Sequence, residues 1–267
     1  MVLEGIHKLI DAVEIEPAIF PPTLLYNEGW LLRLILDCYS RNNLSDHPLL
    51  FQPNATWFSE ALLPSPFKPR YRGDLRSESR THADGIVGQI SVGGSAKSDA
   101  RLLNDATQIV VIEAKIFSPL SGGTRNAPSF DQAARNVGCI TELLSRANLP
   151  ISKMTSLAFF VVAPDVQIKS GIFTQKLDKQ EIKTKVQNRA EVFAPELDGW
   201  INDWFFPTLE AIRIEALSWE SIIGDIAATD PETFQSLQAF YDRCLRFNGL
   251  GSRFMPSSHQ GKGNPVS

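Results

Sequence analysis

The sequence predicts an α/β protein, because segments with helical spacing of apolar residues alternate with short β-branched runs along most of the chain. Two local signals sharpen that reading. Residues 108–117 form a β-branched run without Gly or Pro, as a buried strand requires. Asp230-Pro231-Glu232 combines an N-cap, a proline at the first helical position and an acidic first turn, which opens a late helix. The 267 residues, 43% hydrophobic and 21% charged, have a globular balance. One domain over residues 1–255 is expected, since no long linker-like stretch interrupts them, with a small, polar, disordered tail over 256–267.

In order, residues 27–39 place Trp30, Leu31, Leu34, Ile35 and Cys38 on one helical face. A Pro- and Arg-rich connection follows over 63–80. Residues 81–92 read as a strand bounded by Gly93-Gly94, and 108–117 as the next. Ser129 begins a helix with Ala133, Val137, Ile140 and Leu144 as its apolar positions. Residues 156–162 are a further buried strand, stopped at Pro164. A helical C-terminal extension over 164–255 starts with a basic helix near 174–189 and carries a late strand near 212–217. It closes with a short helix after Ser218 and a longer one from Asp230 to about Arg246. There is no internal repeat and no heptad run.

Twenty-six Lys and Arg against thirty Asp and Glu give a formal charge of −4, which argues against a polybasic nucleic-acid binder but not against a local basic cleft. The charge is uneven. Lys68, Arg70, Arg72, Arg76 and Arg80 crowd one stretch, and Lys169, Lys176, Lys179, Lys183, Lys185 and Arg189 another. Beyond Ala190 stand eleven acids and five bases, so residues 1–189 are mildly positive. Either basic stretch can be a solvated face or the border of a polyanion path. Cys38, Cys139 and Cys244 are widely spaced, with no CxxC, so neither a disulfide framework nor a zinc knuckle is expected. Glu4, Asp11, Glu14 and Glu16 do not suit a secretory signal, and the longest apolar run is too short for a bilayer. A soluble, cytoplasmic protein is expected, with no membrane partner.

The informative segment runs from Asp84 to Gln132. Alternation along 108–117 puts Ile109, Val111, Glu113 and Lys115 on one face of the strand, and Val110, Ile112, Ala114 and Ile116 on the other. An acid and a base thus end an otherwise apolar strand, an expensive burial unless they pair or hold a metal. Asp84 lies in the preceding strand, followed by Gly85, whose missing side chain permits close approach of backbone or ligand. If the two strands are neighbours, the carboxylates of Asp84 and Glu113 converge, as suits a hard ion such as Mg2+.

This pattern resembles the PD-(D/E)xK nuclease superfamily: Asp84, then Glu113-Ala114-Lys115 after a 29-residue step, then Gln132 on the next helix, with Glu28 as an upstream acid. The resemblance covers about residues 27–163; Ala83 stands where the family usually has proline, and residues beyond 163 match no motif. It implies a restriction endonuclease-like core, a central mixed β-sheet flanked by helices. It also implies hydrolysis of DNA phosphodiester bonds, with RNA as a weaker substrate, dependent on Mg2+ or on Mn2+ in its place. Asp84, Glu113 and the Ala114 carbonyl would hold the ion. Lys115 would position or deprotonate the attacking water, Gln132 would orient water or Lys115, and Glu28 would assist a second ion. Arg125, Arg135 and Asn136 would meet phosphates, with Arg72, Arg76 and Arg80 bordering the DNA path.

Each residue also has a plainer reading. Glu113 and Lys115 can be a simple salt bridge, Ser129-x-x-Gln132 a capping box, Glu28 an answer to its helix dipole, and His82 a structural histidine. A further alternative is a nuclease-like fold that serves as a nucleic-acid-binding or protein-interaction subunit, with a homodimer or protein partner docked on the acidic C-terminal third. Residues 91–98 lack the glycines of a phosphate loop, the four histidines lack metal spacing, and no GxSxG elbow or separate DNA-reading module occurs.

Overall fold

A computed structural model describes residues 2–15, 20–42, 47–74, 77, 81–94, 96–123 and 127–250. The tail expected over 256–267 lies outside the described residues. Among them, seven strands form: β1 (Thr56–Leu63), β2 (Thr81–Gly88), β3 (Ile90–Val92), β4 (Ala100–Leu102), β5 (Gln108–Ala114), β6 (Ser156–Ala163) and β7 (Arg213–Ser218). The helices before the central strands are α1 (Val2–Asp11) and α2 (Glu28–Arg41), and α3 (Gln132–Ala147) connects β5 to β6. Between β6 and β7 come α4 (Asp165–Lys169), α5 (Thr174–Leu177), α6 (Lys179–Glu191), α7 (Asp198–Trp200) and α8 (Phe206–Ala211). The chain closes with α9 (Trp219–Ile226) and α10 (Pro231–Leu245).

A five-stranded mixed sheet runs in the order β1-β2-β5-β6-β7, antiparallel on the β1, β2, β5 side and parallel from β5 to β7. All seven residues of β5 are buried, as a central strand covered on both faces demands. The expected alternation holds. Ile109 and Val111 join Phe159 and Val161 of β6 under α3 and α6, packed against Ala133, Val137, Ile140, Ile182 and Val186. Val110, Ile112 and Ala114 join Phe160 and Val162 on the other face, under Leu31, Leu32, Ile35 and Leu36 of α2 and Trp219, Ile222 and Tyr241 of α9 and α10. The Tyr39 hydroxyl donates to the Ile222 carbonyl at 2.9 Å and so joins α2 to α9. No helix among the described residues is long and apolar enough to cross a membrane.

Several boundaries differ from the sequence reading for identifiable reasons. The strand expected over 81–92 ends at Gly88, and Ile90–Val92 leaves the sheet to pair with Ala100–Leu102 in a separate hairpin. The basic helix expected over 174–189 is two helices, because Asp178 turns out of the first and caps the second by accepting from the Glu181 N–H at 2.9 Å. The late strand read near 212–217 does form, as β7, and completes the sheet. Strand β1 and helix α1 had no reading in the sequence. The three cysteines are buried and free, as their spacing suggested.

Gly85 and Gly88 are needed for contact rather than for ligand access. A Cβ on Gly85 would sit 3.0 Å from a Leu32 methyl, so the missing side chain admits α2. At Gly88 a Cβ would lie 2.2 Å from the backbone oxygen of Gln108 on β5. Gly88→Ala should therefore push β2 off β5 and cost about 1–3 kcal/mol or more of stability, read as a lower urea midpoint. An unchanged midpoint would contradict this close pairing.

Candidate active site

Strands β2 and β5 are neighbours, paired Gly85 to Ile112 and Gly88 to Ile109. That register sets Asp84 beside the carboxyl end of β5, where the sheet changes from antiparallel to parallel pairing, a usual position for ligand sites in α/β sheets. Opposite Asp84 on β1, Glu60 takes a left-handed conformation (φ 59°) and is held by Arg33 at 3.3 Å. Asp84 Oδ2 accepts from the Ala114 N–H at 2.8 Å. The N–H and C=O of one strand residue point to the same side, so the Ala114 carbonyl also turns toward Asp84.

Glu113 is the centre of the cluster and is 2% exposed. Its Oε1 accepts from Lys115 Nζ at 2.5 Å and from the Gln132 amide. Its Oε2 is buried and accepts no hydrogen bond among the described residues. Burial first, and the negative Asp84 carboxylate next, push the Glu113 carboxyl well above the usual glutamate range, against the pull of Lys115. Two carboxylates this close need a proton or a cation between them.

Helix α3 delivers Gln132 through its own N-terminus. Asp131, not Ser129, is the N-cap: its Oδ1 accepts from the Ala134 N–H at 3.1 Å. The capping-box role for Gln132 is thereby removed, and its side chain is left for Glu113. Gln132 is held from behind by Ser121, whose N–H donates to Gln132 Oε1 at 2.9 Å and whose carbonyl accepts from the Gln132 N–H at 3.2 Å. That exchange aims the amide NH2 at Glu113.

Two cations from the basic stretch secure this loop. Lys176 donates to the Leu120 carbonyl, next to Ser121, and Lys185 pairs with Asp131 Oδ2 at 3.1 Å. On the other side, Gln167 accepts from the Phe117 N–H at 3.2 Å and donates to the Ser118 carbonyl at 2.8 Å. It thus supports Phe117, whose left-handed φ of 65° turns the chain out of the sheet. The Lys115 backbone is pinned by Val162 and by the Trp219 indole, 2.8 and 2.9 Å away. None of Ser121, Asp131, Gln167, Lys176 or Lys185 is legible as a site support from sequence.

The structure brings Asp84, Glu113, Lys115 and Gln132 together. Glu28 begins α2, on the sheet's opposite layer, and its charge acts on the Cys244 thiol. Among the described residues no group of three or more His, Cys, Asp or Glu side chains is arranged to hold a metal. The hard oxygen set of Asp84, Glu113 Oε2 and the Ala114 carbonyl still fits a Mg2+-type ion, which commonly takes one or two carboxylates and completes its shell with water and phosphate oxygens.

The nucleic-acid contacts fare less evenly. Asn136 is fully buried inside α3 packing, so it cannot meet a phosphate as expected. Arg135 is half-buried on α3, Arg72 is exposed after β1, and Arg76, Arg80 and Arg125 lie outside the described residues. Most cations of the stretch from Lys169 to Arg189 have partners, although Lys169 and Lys179 remain exposed. Besides Lys176 and Lys185, Lys169 pairs with Asp165, Lys179 donates to the Glu210 carbonyl, and Lys183 lies over Phe206. Arg189 is buried between the Phe67 and Phe193 rings.

Comparison with known proteins yields no relative: no family model, curated protein or solved structure matches the chain.

Without a divalent ion, Glu113 keeps its proton to higher pH in the folded chain than in the unfolded one. The stability gained this way is complete below the ordinary glutamate range and is lost as pH rises through the folded value. In chelator, unfolding free energy should therefore fall between about pH 5 and about pH 8 more steeply in the native protein than in Glu113→Gln. Parallel curves would remove burial of Glu113 as the cause.

Proposed function

We propose that the protein is a divalent-metal-dependent phosphodiesterase that hydrolyses DNA, built on a restriction endonuclease-like core. The supporting observation is the convergence of Asp84, Glu113, Lys115 and Gln132, from two strands and one helix, around a buried carboxylate oxygen that has no hydrogen-bond partner among the described residues. Asp84, Glu113 and the Ala114 carbonyl would hold Mg2+, or Mn2+ in its place. Such an ion polarises a phosphate and lowers the pKa of a bound water.

The chain's own groups divide the remaining work. Lys115 sets an ammonium beside the metal-binding carboxylate, where it orients the attacking water and offsets charge that builds on the phosphoryl oxygens. Its stem is largely covered, so the charge acts where water is scarce and its effect is larger. Gln132, fixed by Ser121, keeps Glu113 Oε1 occupied and would leave Oε2 for the ion. Ala114 performs the same service for Asp84 by occupying Oδ2.

Plasmid and linear DNA incubated with the purified protein and Mg2+ or Mn2+ should be cut. Lys115→Ala and Asp84→Ala should each lose about 10²–10³-fold or more of that activity with the fold retained. Independently, Mg2+ should raise the melting temperature of the native protein but not of Asp84→Asn, because only a folded-state ligand stabilises. Vigorous cutting by both alanine variants would overturn the site assignment, and a native protein inert on every DNA form would overturn the activity.

A further inference from the structure

Apart from the Asp84–Glu113 centre, a cleft of about 670 Å3 lies between the end of β1, the β3–β4 hairpin and the second half of α3. Three cations reach it from three separate elements: Lys68 from the loop after β1, Arg101 from β4 and Arg146 from α3. A single basic helix face would be an ordinary solvated surface; convergence from three elements is not. Arg101 is exposed and lies across Gly94, where a Cβ would come within 2.5 Å of its guanidinium. The hairpin glycine thus leaves the space that the arginine occupies.

Two acids nearby, Asp99 and Glu142, offset part of this charge. Asp99 Oδ2 accepts from the Ala96 N–H at 2.9 Å, and Glu142 pairs with Arg146 at 2.7 Å and with Lys68 at 3.8 Å. Lys68 and Arg146 keep 62% and 44% of their side chains exposed, so their charge remains available to an anion. Ser65 and Asn104 add polar groups to the walls.

Two features choose the occupant. No described lining residue is aromatic, so the cleft lacks the stacking platform by which proteins hold single-stranded bases or free nucleotides. Cations without aromatics suit the sugar-phosphate backbone of a duplex, whose bases stay stacked inside. The second is spacing. Arg146 stands 14 residues beyond Gln132 on α3, roughly 21 Å along the helix axis, or about six base pairs of duplex rise.

We propose that this cleft binds the phosphate backbone of duplex DNA about six base pairs from the bond held at the Asp84–Glu113 centre. The inference rests on the nuclease reading.

The test is binding of a labelled 24-base-pair duplex to the full chain in chelator, by fluorescence anisotropy across a salt series. Lys68→Gln and Arg101→Gln, both on exposed side chains, should each weaken binding roughly three- to tenfold and lower the slope of log affinity against log salt by about one. With Mg2+, cutting at saturating DNA should be unchanged while KM rises. A native protein that cuts DNA, with variants of unaltered affinity and salt slope, would overturn the cleft and leave the nuclease reading standing. Variants that lose binding of a 24-nucleotide single strand, AMP or inorganic phosphate, but keep that of the duplex, would also overturn it. Duplex binding with the expected Lys68 and Arg101 dependence, but no cutting with either metal, would sustain the cleft and sink the catalytic reading instead.

Discussion

Glu113 places a carboxylate in the best-buried strand of the sheet, and much of the surrounding structure is arranged by the need to satisfy it. Burial and the neighbouring Asp84 carboxylate both disfavour its charged form, and nothing in the apolar layers on either face offsets them. Lys115 and Gln132 attend to one oxygen of Glu113 and leave the other unanswered. The position of α3, the choice of Asp131 as its cap and the course of the loop from Ser118 all serve that partial satisfaction. Complete satisfaction would make a simple salt bridge; what is present is a carboxylate with one oxygen left without a donor among the described residues.

The distribution of positive charge follows from the same constraint. Lys176 and Lys185 hold the loop and the helix cap, and Arg189 fills an aromatic slot. These three cations are therefore internal fasteners, despite a density in sequence that suggests an external polyanion. Exposed cations also gather around the β3–β4 hairpin, where Lys68, Arg101 and Arg146 meet. A formal charge of −4 says little about either group, since it averages fasteners and surface alike.

How much was legible in the sequence depended on whether local rules decided the outcome. The two faces of β5 could be read from alternation alone, because every position in that strand is buried and a one-residue error would invert it. The caps at Ser218 and Asp230 were equally plain, as short polar side chains before an apolar-periodic run. Helix α3 was harder: Ser129 and Asp131 are both good caps, and Asp131, also paired with Lys185, takes the role. Strand β1 escaped notice because most of its first five residues are only partly buried and carry no clean alternation. Asn136 illustrates the remaining gap. Its neighbours Gln132 and Arg135 suggest a polar face, yet Asn136 stands one turn from Ala133 and Ile140 and beside Val137, and is enclosed with them.

The part of the chain without a recognisable motif is therefore not an appendage. Every side chain of the candidate centre lies between Asp84 and Gln132, which invites treating the first 163 residues as a portable catalytic module. Their restraints are supplied from further on: Gln167 at the exit of β5, Lys176 and Lys185 behind Gln132, and the Trp219 indole on the Lys115 carbonyl. A graft of the shorter unit onto another scaffold would carry the four side chains and leave behind their alignment. Sequence drift in the C-terminal half is free only to the extent that these four tethers are kept.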